Sequence, residues 1–468
     1  MRKDSGINIP LGLGYIAAFV RSKGFSPFII DCVPLFRDIS DASLEKMKTW
    51  LAQKILEIKP TLAIGIGPTT LASVKSVEII DKICKKIAPT TPVVYGGPLA
   101  SIPGLEWFFF EHLNAFAVVP GDAEFAFYQL LQALKSGQKS QVEGVFYNTD
   151  IKFYPNIIRD IGQLPFPARD LFDSGAYFPS KRRDLFASPF ATILCSRGCP
   201  FKCSYCSSSI TRNGYRSVRP LENISEEIRT LKNGAGAKSI IFYDDCSFLD
   251  EPNLNFEVQN FAKMMRNTGK DIVWQIEMRT NIAKSLTQES VKVMFDCGCR
   301  QINLGVEKGN SKGLKVMGKN ISPEQAIDAC NNIKEAAPKM RLAGTFIIGG
   351  PNETYDEAIE TIEFSKKLGL LFAHFYPLEV YPGTDMYYKK FGSDTHIWLD
   401  LIQQDTAFSG SLIYEDVLKK RDILNLTCEA YKSFYRRKEW TLLAKRLLGI
   451  HFDEITSSAH TWGESPRW

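Results

Sequence analysis

Short apolar runs alternate with helical segments along most of this chain, and this alternation restricts its possible folds more than any other feature. In the first 140 residues the pattern predicts helices near 11–23, 43–58 and 74–88, strands at 26–32, 61–67 and 92–98, and a last strand and helix within 115–137. Each strand is a nearly continuous apolar run, which is typical of strands covered on both faces. Region 1–140 is therefore predicted to be an α/β domain with a doubly wound, flavodoxin-like parallel sheet.

Two loops of this region are candidate binding segments, because ligands of doubly wound sheets bind beyond the carboxyl ends of the strands. The loops at 65–70 and 96–100 lie there, and their candidate residues are Gly65, Thr69, Thr70, Gly96 and Gly97. The glycines would permit a flat ligand to approach the backbone closely. From composition alone, an equally good interpretation is that they only form tight turns.

A second series of βα units follows a proline-rich connector at 141–186. Six strands are predicted within 187–390, in the segments ATILC, KSIIFYDD, DIVWQIEMRT, RQINLGVE, MRLAGTFIIGG and FAHFYPLEVYPG. Six strands at intervals of roughly 30–45 residues predict a partial (β/α)6 barrel rather than a complete eight-stranded one. Region 391–468 is predicted to be helical, and its basic amphipathic face is interpreted as solvated rather than as a membrane or nucleic-acid contact.

Three cysteines, Cys199, Cys203 and Cys206, have the spacing C-x3-C-x2-C directly after the first barrel strand. Three thiolates on one short loop can hold three corners of a cubane iron–sulfur cluster and leave the fourth iron open to a small molecule. Zinc is a weaker alternative, because a structural zinc site needs four protein ligands and only Cys195 is near enough in sequence to be the fourth. Cys195 ends an apolar strand, so it is predicted to be a small buried hydrophobe instead. An incidental grouping is the third alternative.

The segment CPFKCSYC, with Tyr205 before its last cysteine, resembles the signature loop of the radical S-adenosylmethionine (SAM) enzymes. The resemblance extends over about 187–390, where IIFYDDCSF, VEKGNSKGLKVMGKN, GTFIIGGPNET and YPGTDMYY are similar to the strand-end motifs of that family, in the family's order. The N-terminal segments IPLGLGYIAAFVRSKGFSPFIID, GIGPTT, VVYGGP and GDAEF resemble the cobalamin-binding domain that precedes the radical core in one branch of the family.

The resemblance implies cofactors and roles for particular residues. It implies that Cys199, Cys203 and Cys206 ligate a 4Fe-4S cluster whose open iron chelates SAM, and that one electron from the cluster cleaves SAM to a 5′-deoxyadenosyl radical. The residues that it places near SAM are Tyr205, Asp244, Asp245, Arg279, Glu307, Gly349 and Gly350. Asp244 and Asp245 stand where the family commonly has a glycine-rich segment with a glutamate, so either could meet the methionine ammonium.

Two features of the N-terminal region depart from the cobalamin-binding pattern. The sequence begins at the segment that normally follows the first strand, so one central strand is expected to be missing, and neighbouring strand edges would be left unpaired. There is also no D-x-H-x-x-G stretch to supply an axial histidine, an absence that is common in this branch. Cobalamin binding is therefore expected from the resemblance alone.

The resemblance predicts a cobalamin-dependent methyltransferase that acts on an unactivated carbon. One alternative is a radical cyclase or rearrangement enzyme similar to the magnesium-porphyrin ester cyclases, and another is a non-enzymatic iron–sulfur electron carrier or sensor. A methylthio-transferring enzyme is disfavoured, because no N-terminal cysteine trio is present for a second cluster. Expected partners are a small-molecule substrate and a one-electron reductant similar to flavodoxin or ferredoxin.

The composition indicates the cellular setting that suits the chain, but it does not indicate a particular chemistry. A formal net charge of +5 on 468 residues is mild and does not point to nucleic acid. Eleven cysteines form an odd set at low density, which favours a reducing compartment over a disulfide scaffold, so a cytoplasmic location is expected. No apolar run reaches the length of a spanning helix, and the apolar start lacks a cleavage site, so neither a transmembrane nor a targeting segment is predicted.

Overall fold

The computed structural model describes residues 8–32, 41–68, 70–137, 141–173, 177, 189–404 and 412–449. Two separate parallel sheets organise this part of the chain, one with three strands and one with six. None of the described helices has the combination of length and apolar character that crossing a membrane requires.

The N-terminal sheet contains three short parallel strands in the order β1-β2-β3. These strands are β1 Ile64–Ile66, β2 Val93–Gly96 and β3 Ala117–Val119. The surrounding helices are α1 Leu11–Ser22, α2 Asp41–Ile58, α3 Val74–Ile87 and α4 Glu124–Ser136. Pro10 precedes α1 and Gly137, in the left-handed region, ends α4, as the helix-boundary residues of the sequence predict. The βα alternation predicted for this region is confirmed for these elements.

The strand predicted at 26–32 is wrong, because residues 25–32 belong to neither a helix nor a strand. In the flavodoxin-like order 2-1-3-4-5 the second strand of the fold pairs only with the first. The described residues contain no strand equivalent to that first one, so segment 26–32 has no neighbour to take its backbone hydrogen bonds. The 66% exposure of Phe28 is consistent with a segment that no sheet buries.

The larger sheet is a half-barrel of six parallel strands, each hydrogen-bonded to the next strand of the series. Its strands are β4 Phe190–Ile193, β7 Ser239–Phe242, β8 Val273–Arg279, β9 Cys299–Glu307, β10 Arg341–Ile348 and β11 Phe372–Pro377. A small antiparallel pair, β5 Ser196–Arg197 with β6 Ser217–Val218, lies between β4 and β7 in the chain. All six predicted barrel strands, and the partial barrel itself, are confirmed.

Helices lie between the strands of this region in the chain. They are α5 Ser208–Thr211, α6 Leu221–Ala235, α7 Leu254–Thr268, α8 Thr280–Lys284, α9 Gln288–Asp296, α10 Ser311–Val316, α11 Pro323–Ala336 and α12 Tyr355–Lys367. The shortest, α5, belongs to the segment between β5 and β6. Capping boxes begin α11 at Ser322 and α12 at Thr354, where side chains satisfy the first free backbone amides.

Four helices follow β11 and divide between two cores, which confirms the predicted helical C-terminal region for the described part. They are α13 Asp385–Phe391, α14 Ile397–Gln404, α15 Lys420–Tyr435 and α16 Lys438–Leu448. Residues of α15 and α16 belong to the barrel core, whereas residues of α13 and α14 join the core of the N-terminal sheet. In the second of these cores Trp398 meets Phe108 with ring centroids 5.1 Å apart.

A buried ionic cluster joins the N-terminal region to the barrel. Arg197 donates to Asp122 at 3.0 Å and to Glu124 at 2.8 Å, and its guanidinium lies 4.7 Å above the ring of Tyr15. Arg212 pairs with the second oxygen of Asp122. Since Arg197 and Arg212 flank the three-cysteine segment, this cluster ties that segment to the start of α4.

Candidate active site

The three predicted cysteines lie on a loop between β5 and β6, at the carboxyl end of β4. Gly198, with φ of +86°, opens the loop at a point where a Cβ would collide with the carbonyl oxygen of Tyr215, so only glycine fits there. Ser204 anchors the middle of the loop, since its N–H donates to Met317 at 3.0 Å and its carbonyl accepts from the N–H of Met386 at 3.0 Å. The loop is therefore held from two sides by the chain that follows β9 and β11.

One cavity of about 350 Å³ opens between this loop and the barrel strands. The three thiols line it together with Tyr205, Asp245, Arg279 and Glu307, so the structure gathers seven of the sequence-predicted residues around one space. Tyr205 is partly buried, and desolvation of its hydroxyl raises its pKa well above the usual range.

The two adjacent aspartates after β7 have different positions. Asp245 lines the cavity and bridges the cysteine loop, accepting from the N–H of Gly198 at 3.1 Å and from the hydroxyl of Ser208 at 3.0 Å. Asp244 lies behind the loop, where one oxygen accepts from the N–H groups of Cys195 and Ser196 at 2.7 and 2.9 Å. Burial raises the pKa of Asp244 to about 6. Asp245 is thus the carboxylate that a bound molecule can reach.

Arg279 ends β8 and reaches the cysteine loop rather than solvent. Its guanidinium donates to the sulfur of Cys203 at 3.3 Å and lies 3.8 Å above the ring of Phe201. A guanidinium held in this way brings a fixed positive charge to the cavity wall.

Glu307 ends β9 with φ of +70°, a left-handed conformation that is unusual for a residue other than glycine. Lys319 donates to its carboxylate at 2.7 Å and to the carbonyl of Gly305 at 2.9 Å, and all three residues line the cavity. Lys319 was missed from the sequence, although it lies in VEKGNSKGLKVMGKN, one of the motifs used for the resemblance. A lysine in a loop gives no periodic signal that it folds back onto a buried carboxylate.

Gly349 and Gly350 stand outside this cavity. Gly349 is bound by the buried pair of Lys308 and Glu353, since Lys308 donates to its carbonyl at 2.9 Å and its own N–H donates to Glu353. Gly350 borders a small cavity of about 20 Å³ beside that pair. The two glycines therefore shape the chain after β10 instead of facing the cysteines.

A fourth thiol lies at the cavity, and the sequence reading did not single it out. Cys246 directly follows Asp245, is buried and lines the cavity. The interaction of Cys246 with Cys199 lowers the pKa of Cys199 to about 7, although the burial of Cys199 opposes that shift. Cys195, the fourth cysteine of the sequence cluster, does not line the cavity, and burial raises its pKa well above the usual range.

Several polar side chains of the barrel strands line the cavity. They lie on β8 to β11 and are Gln275, Glu277, Asn303, Thr345, His374 and Tyr376. Trp274 and Phe375, two aromatic residues of the same strands, are fully buried in the barrel core. Tyr376 lines the cavity.

Of the residues predicted for the N-terminal sheet, Gly96 and Gly97 lie at the carboxyl end of β2. Gly97, with φ of +83°, approaches the loop after β1 so closely that an added Cβ would lie 3.1 Å from the carbonyl oxygen of Pro68. A Cβ at Gly96 would lie 3.2 Å from the carbonyl oxygen of Val119. Gly65 is within β1, Thr70 begins the turn that leads to α3, and Thr69 lies outside the described residues. Close packing within the sheet thus explains why glycine occupies positions 96 and 97.

The donor set at the cysteine loop fits a cluster better than a single ion. Within the described residues, no three His, Cys, Asp or Glu side chains converge closely enough to hold one metal ion. The three thiols instead surround a space, as a cubane with one thiolate on each of three separate irons requires. A parallel half-barrel with three such thiols and charged side chains at its strand ends is the arrangement that the resemblance to the radical SAM enzymes implies.

Comparison with known proteins identifies the family. The radical SAM superfamily model matches residues 193–365. A protein of Pyrococcus horikoshii named an uncharacterized methyltransferase is 30% identical over 438 residues, which are 92% of this chain and 88% of that protein. The chain belongs to the radical SAM superfamily, whose members use SAM and a 4Fe-4S cluster.

Two solved structures share the fold over most of the chain. The radical SAM methyltransferase TsrM of Kitasatospora setae, solved with cobalamin and a 4Fe-4S cluster, matches with a TM-score of 0.61 at 18% identity, over 82% of this chain and 72% of TsrM. The cobalamin-dependent radical enzyme OxsB, solved with aqua-cobalamin and SAM, matches with a TM-score of 0.66 at 16% identity, over 96% of this chain and 69% of OxsB. The resemblance to the cobalamin-binding branch is confirmed at the level of the fold.

Proposed function

We propose that this chain is a cobalamin-dependent radical SAM methyltransferase that transfers a methyl group to an unactivated carbon of a small molecule. The observation that carries the proposal is the single cavity that has three cysteine thiols at one end and the polar interior of β8 to β11 at the other. Methyl transfer is supported by the name of the Pyrococcus relative, which spans almost the whole chain, and by the similarity to TsrM.

The cavity residues divide between two cofactors. Cys199, Cys203 and Cys206 would hold the cluster, which when bound supplies the electron that cleaves the carbon–sulfur bond of SAM. The side chains assigned to SAM are Tyr205, Asp245, Arg279 and Glu307, and Lys319 joins them through its pair with Glu307. Asp244, Gly349 and Gly350, which the resemblance also places near SAM, lie outside the cavity, Asp244 behind the cysteine loop and the two glycines after β10.

The charged side chains of the cavity wall can orient a bound molecule. Asp245 offers an acceptor to an ammonium group, and Arg279 offers a cation to a carboxylate, so a zwitterionic amino acid end fits between them. The buried pair of Glu307 and Lys319 closes the wall beside β9 without leaving an uncompensated charge.

Cobalamin is assigned to the carboxyl edge of the N-terminal sheet, at Gly65, Thr69, Thr70, Gly96 and Gly97. The proposed boundaries are 1–140 for this domain, 141–186 for the connector, 187–390 for the barrel and 391–468 for the helical region. The proposed partners are a small substrate and a reductant similar to flavodoxin or ferredoxin, and the eleven free thiols suit a cytoplasmic setting.

The experiment is anaerobic reconstitution of the full chain with iron, sulfide and cobalamin, followed by SAM that carries a deuterated methyl group, with reductant. We expect both 5′-deoxyadenosine and S-adenosylhomocysteine, because radical formation and methyl donation each consume SAM. The Cys199→Ala variant, treated identically, should form no 5′-deoxyadenosine. Formation of 5′-deoxyadenosine without S-adenosylhomocysteine would replace the methyltransferase by a cyclase or rearrangement enzyme, and formation of neither would overturn the proposal.

A further inference from the structure

Gln275 lies on the cavity wall and has an unused hydrogen-bond acceptor. It is the third residue of β8, lines the cavity and is only 3% exposed. Its side-chain oxygen, Oε1, is buried, and no donor among the described residues reaches it. Burial of an amide oxygen without a donor costs free energy that a bound donor recovers. The unpaired oxygen therefore points to a ligand that donates a hydrogen bond.

Gln301 places a second unused acceptor on the neighbouring strand. It pairs with Gln275 in the parallel register of β8 and β9, so the two side chains lie on the same face of the sheet. Its Nε2 donates to the side-chain oxygen of Asn303, a cavity residue, at 2.9 Å. Its Oε1 is buried and receives no hydrogen bond from the part of the chain that the structure describes. Neighbouring strands are about 4.8 Å apart, a separation that one nitrogen atom can bridge with two hydrogen bonds of about 2.9 Å.

The number of protons on one atom separates the groups that could meet two acceptors. A hydroxyl group has one proton, whereas a carboxamide nitrogen has two and a primary ammonium has three. Strand β8 rises about 3.3 Å per residue, so Gln275 lies about 13 Å along the strand from Arg279. The acceptors are therefore well separated from the end of the cavity that is assigned to the amino acid part of SAM.

We propose that the substrate carries a nitrogen group with at least two N–H bonds, a primary amine or a carboxamide, and that Gln275 binds this group. The inference rests on the proposed function, because it names the substrate class of the same cavity. Gln275 is then a specificity-determining residue, since a substrate without the donor would leave buried acceptors unpaired, and such a site rejects that substrate strongly.

The test is saturation-transfer NMR on anaerobically reconstituted full-length protein with its cluster oxidised and with excess SAM. The probes are n-butylammonium and butyramide, which have N–H donors, and butyltrimethylammonium, which has a charge but no donor. We expect the first two to bind and the third to bind much more weakly. The stronger of the two N–H probes shows whether the group is an amine or a carboxamide.

Variants of Gln275 test whether this residue receives the probes. Gln275→Met removes the acceptor at similar size and should weaken binding of both N–H probes about tenfold. Gln275→Glu keeps an acceptor and should retain n-butylammonium. The matched control is Gln259→Met, which removes a side-chain amide from helix α7, outside the cavity, where it donates to Ser290 at 3.1 Å. This control should leave the binding of every probe unchanged.

Three results would overturn the inference. They are equal binding of the donor-free probe, full binding of n-butylammonium by Gln275→Met, and no binding of either N–H probe, because water alone would then pair with the oxygen. Iron content and SAM binding identify a variant that does not fold, and if Gln275→Met fails to fold, Gln275→Glu and the three probes on the unmodified protein decide. The proposed function fails separately, if the reconstituted protein forms neither 5′-deoxyadenosine nor S-adenosylhomocysteine.

Discussion

The barrel and the N-terminal sheet are both parallel α/β structures, yet they position functional residues very differently. The barrel strands contain four to nine residues, and each has its neighbour in the chain beside it in the sheet. The N-terminal strands contain three or four residues, and segment 26–32, expected to extend the sheet, pairs with none of them. Charged side chains gather at the strand ends of the barrel, whereas the N-terminal sheet presents mainly glycine backbone at its edge.

The difference shows what positions a site in this fold. In the barrel, Asp245 follows β7, Arg279 ends β8 and Glu307 ends β9, and the parallel pairing of these three strands brings the three side chains to one cavity. In the N-terminal sheet, each strand pairs over only three residues, and the loops at the edge approach each other closely, as Gly97 and Pro68 do. The barrel site is thus built of side chains, whereas the N-terminal edge is mainly a backbone surface.

The largest effect is expected from the cysteine loop of the barrel. Changing any one of Cys199, Cys203 and Cys206 to alanine should abolish SAM cleavage and deplete the iron, because two thiolates cannot replace three in holding a cubane. The readouts are iron and sulfide content and the formation of 5′-deoxyadenosine. Cys195→Ala is the matched control, since Cys195 is buried in the same segment but outside the cavity, and it should retain iron. Iron loss in that control would indicate that Cys195 is a fourth ligand, so the metal site would be the four-cysteine alternative and would have no open position.

The second effect tests whether the two regions fold as independent units. Asp122→Asn removes the carboxylate that pairs with both Arg197 and Arg212, leaving buried guanidinium groups poorly compensated. We expect a loss of about 3–5 kcal/mol in the free energy of unfolding measured in urea.

The control for this second test is Asp170→Asn, which removes the exposed pair with Arg21, whose atoms are 2.6 Å apart, and should cost less than about 1 kcal/mol. Equal losses in the two variants would show that the buried cluster does not couple the N-terminal region to the barrel. A larger loss for Asp122→Asn makes the N-terminal sheet dependent on the barrel, in line with its short strands.

The sequence predicted the barrel better than the N-terminal sheet, for a physical reason that particular residues illustrate. Arg279 and Glu307 were found because they end long apolar runs, and the carboxyl end of a parallel strand is a defined place in the fold. Lys319 and Cys246 were missed because their contacts are made by loops, which have no periodic pattern. Segment 26–32 was predicted as a strand because its apolar residues suit one, but apolar character does not supply a hydrogen-bonding neighbour.

The third effect concerns the energetic cost of anchoring the barrel loop with Asp244. Burial raises the pKa of Asp244 to about 6, above the value of about 3.9 in an unfolded chain. Between about pH 4 and pH 6, Asp244 therefore keeps its proton in the folded state, whereas in the unfolded state it has lost it. The free energy of unfolding should therefore fall by on the order of 2 kcal/mol as the pH rises from about 4 to about 6. Asp244→Asn keeps the oxygen that accepts from Cys195 and Ser196 and should remove this part of the pH dependence.

Urea unfolding at a series of pH values between 4 and 6 checks that expectation, with the exposed Asp328→Asn as the control. The control should show the same slope as the unmodified protein. If Asp244→Asn keeps the full slope, another group is responsible, and the barrel loop is anchored without the cost that burial of a carboxylate implies.

The smallest effect is expected at the edge of the N-terminal sheet, where the comparison with the barrel is sharpest. Gly97→Ala places a methyl group 3.1 Å from the carbonyl oxygen of Pro68 at a backbone φ of +83°, whereas Gly137→Ala meets nothing within 4 Å at a similar φ of +70°. Both variants should lose about 1 kcal/mol of stability from backbone strain alone. Only Gly97→Ala should also shift the loop after β1 and weaken cobalamin binding, measured by retention of the cofactor on gel filtration, with iron content unchanged. Equal retention in the two variants would place cobalamin away from this edge, and the N-terminal sheet would then serve as a support for the barrel instead of a cofactor surface.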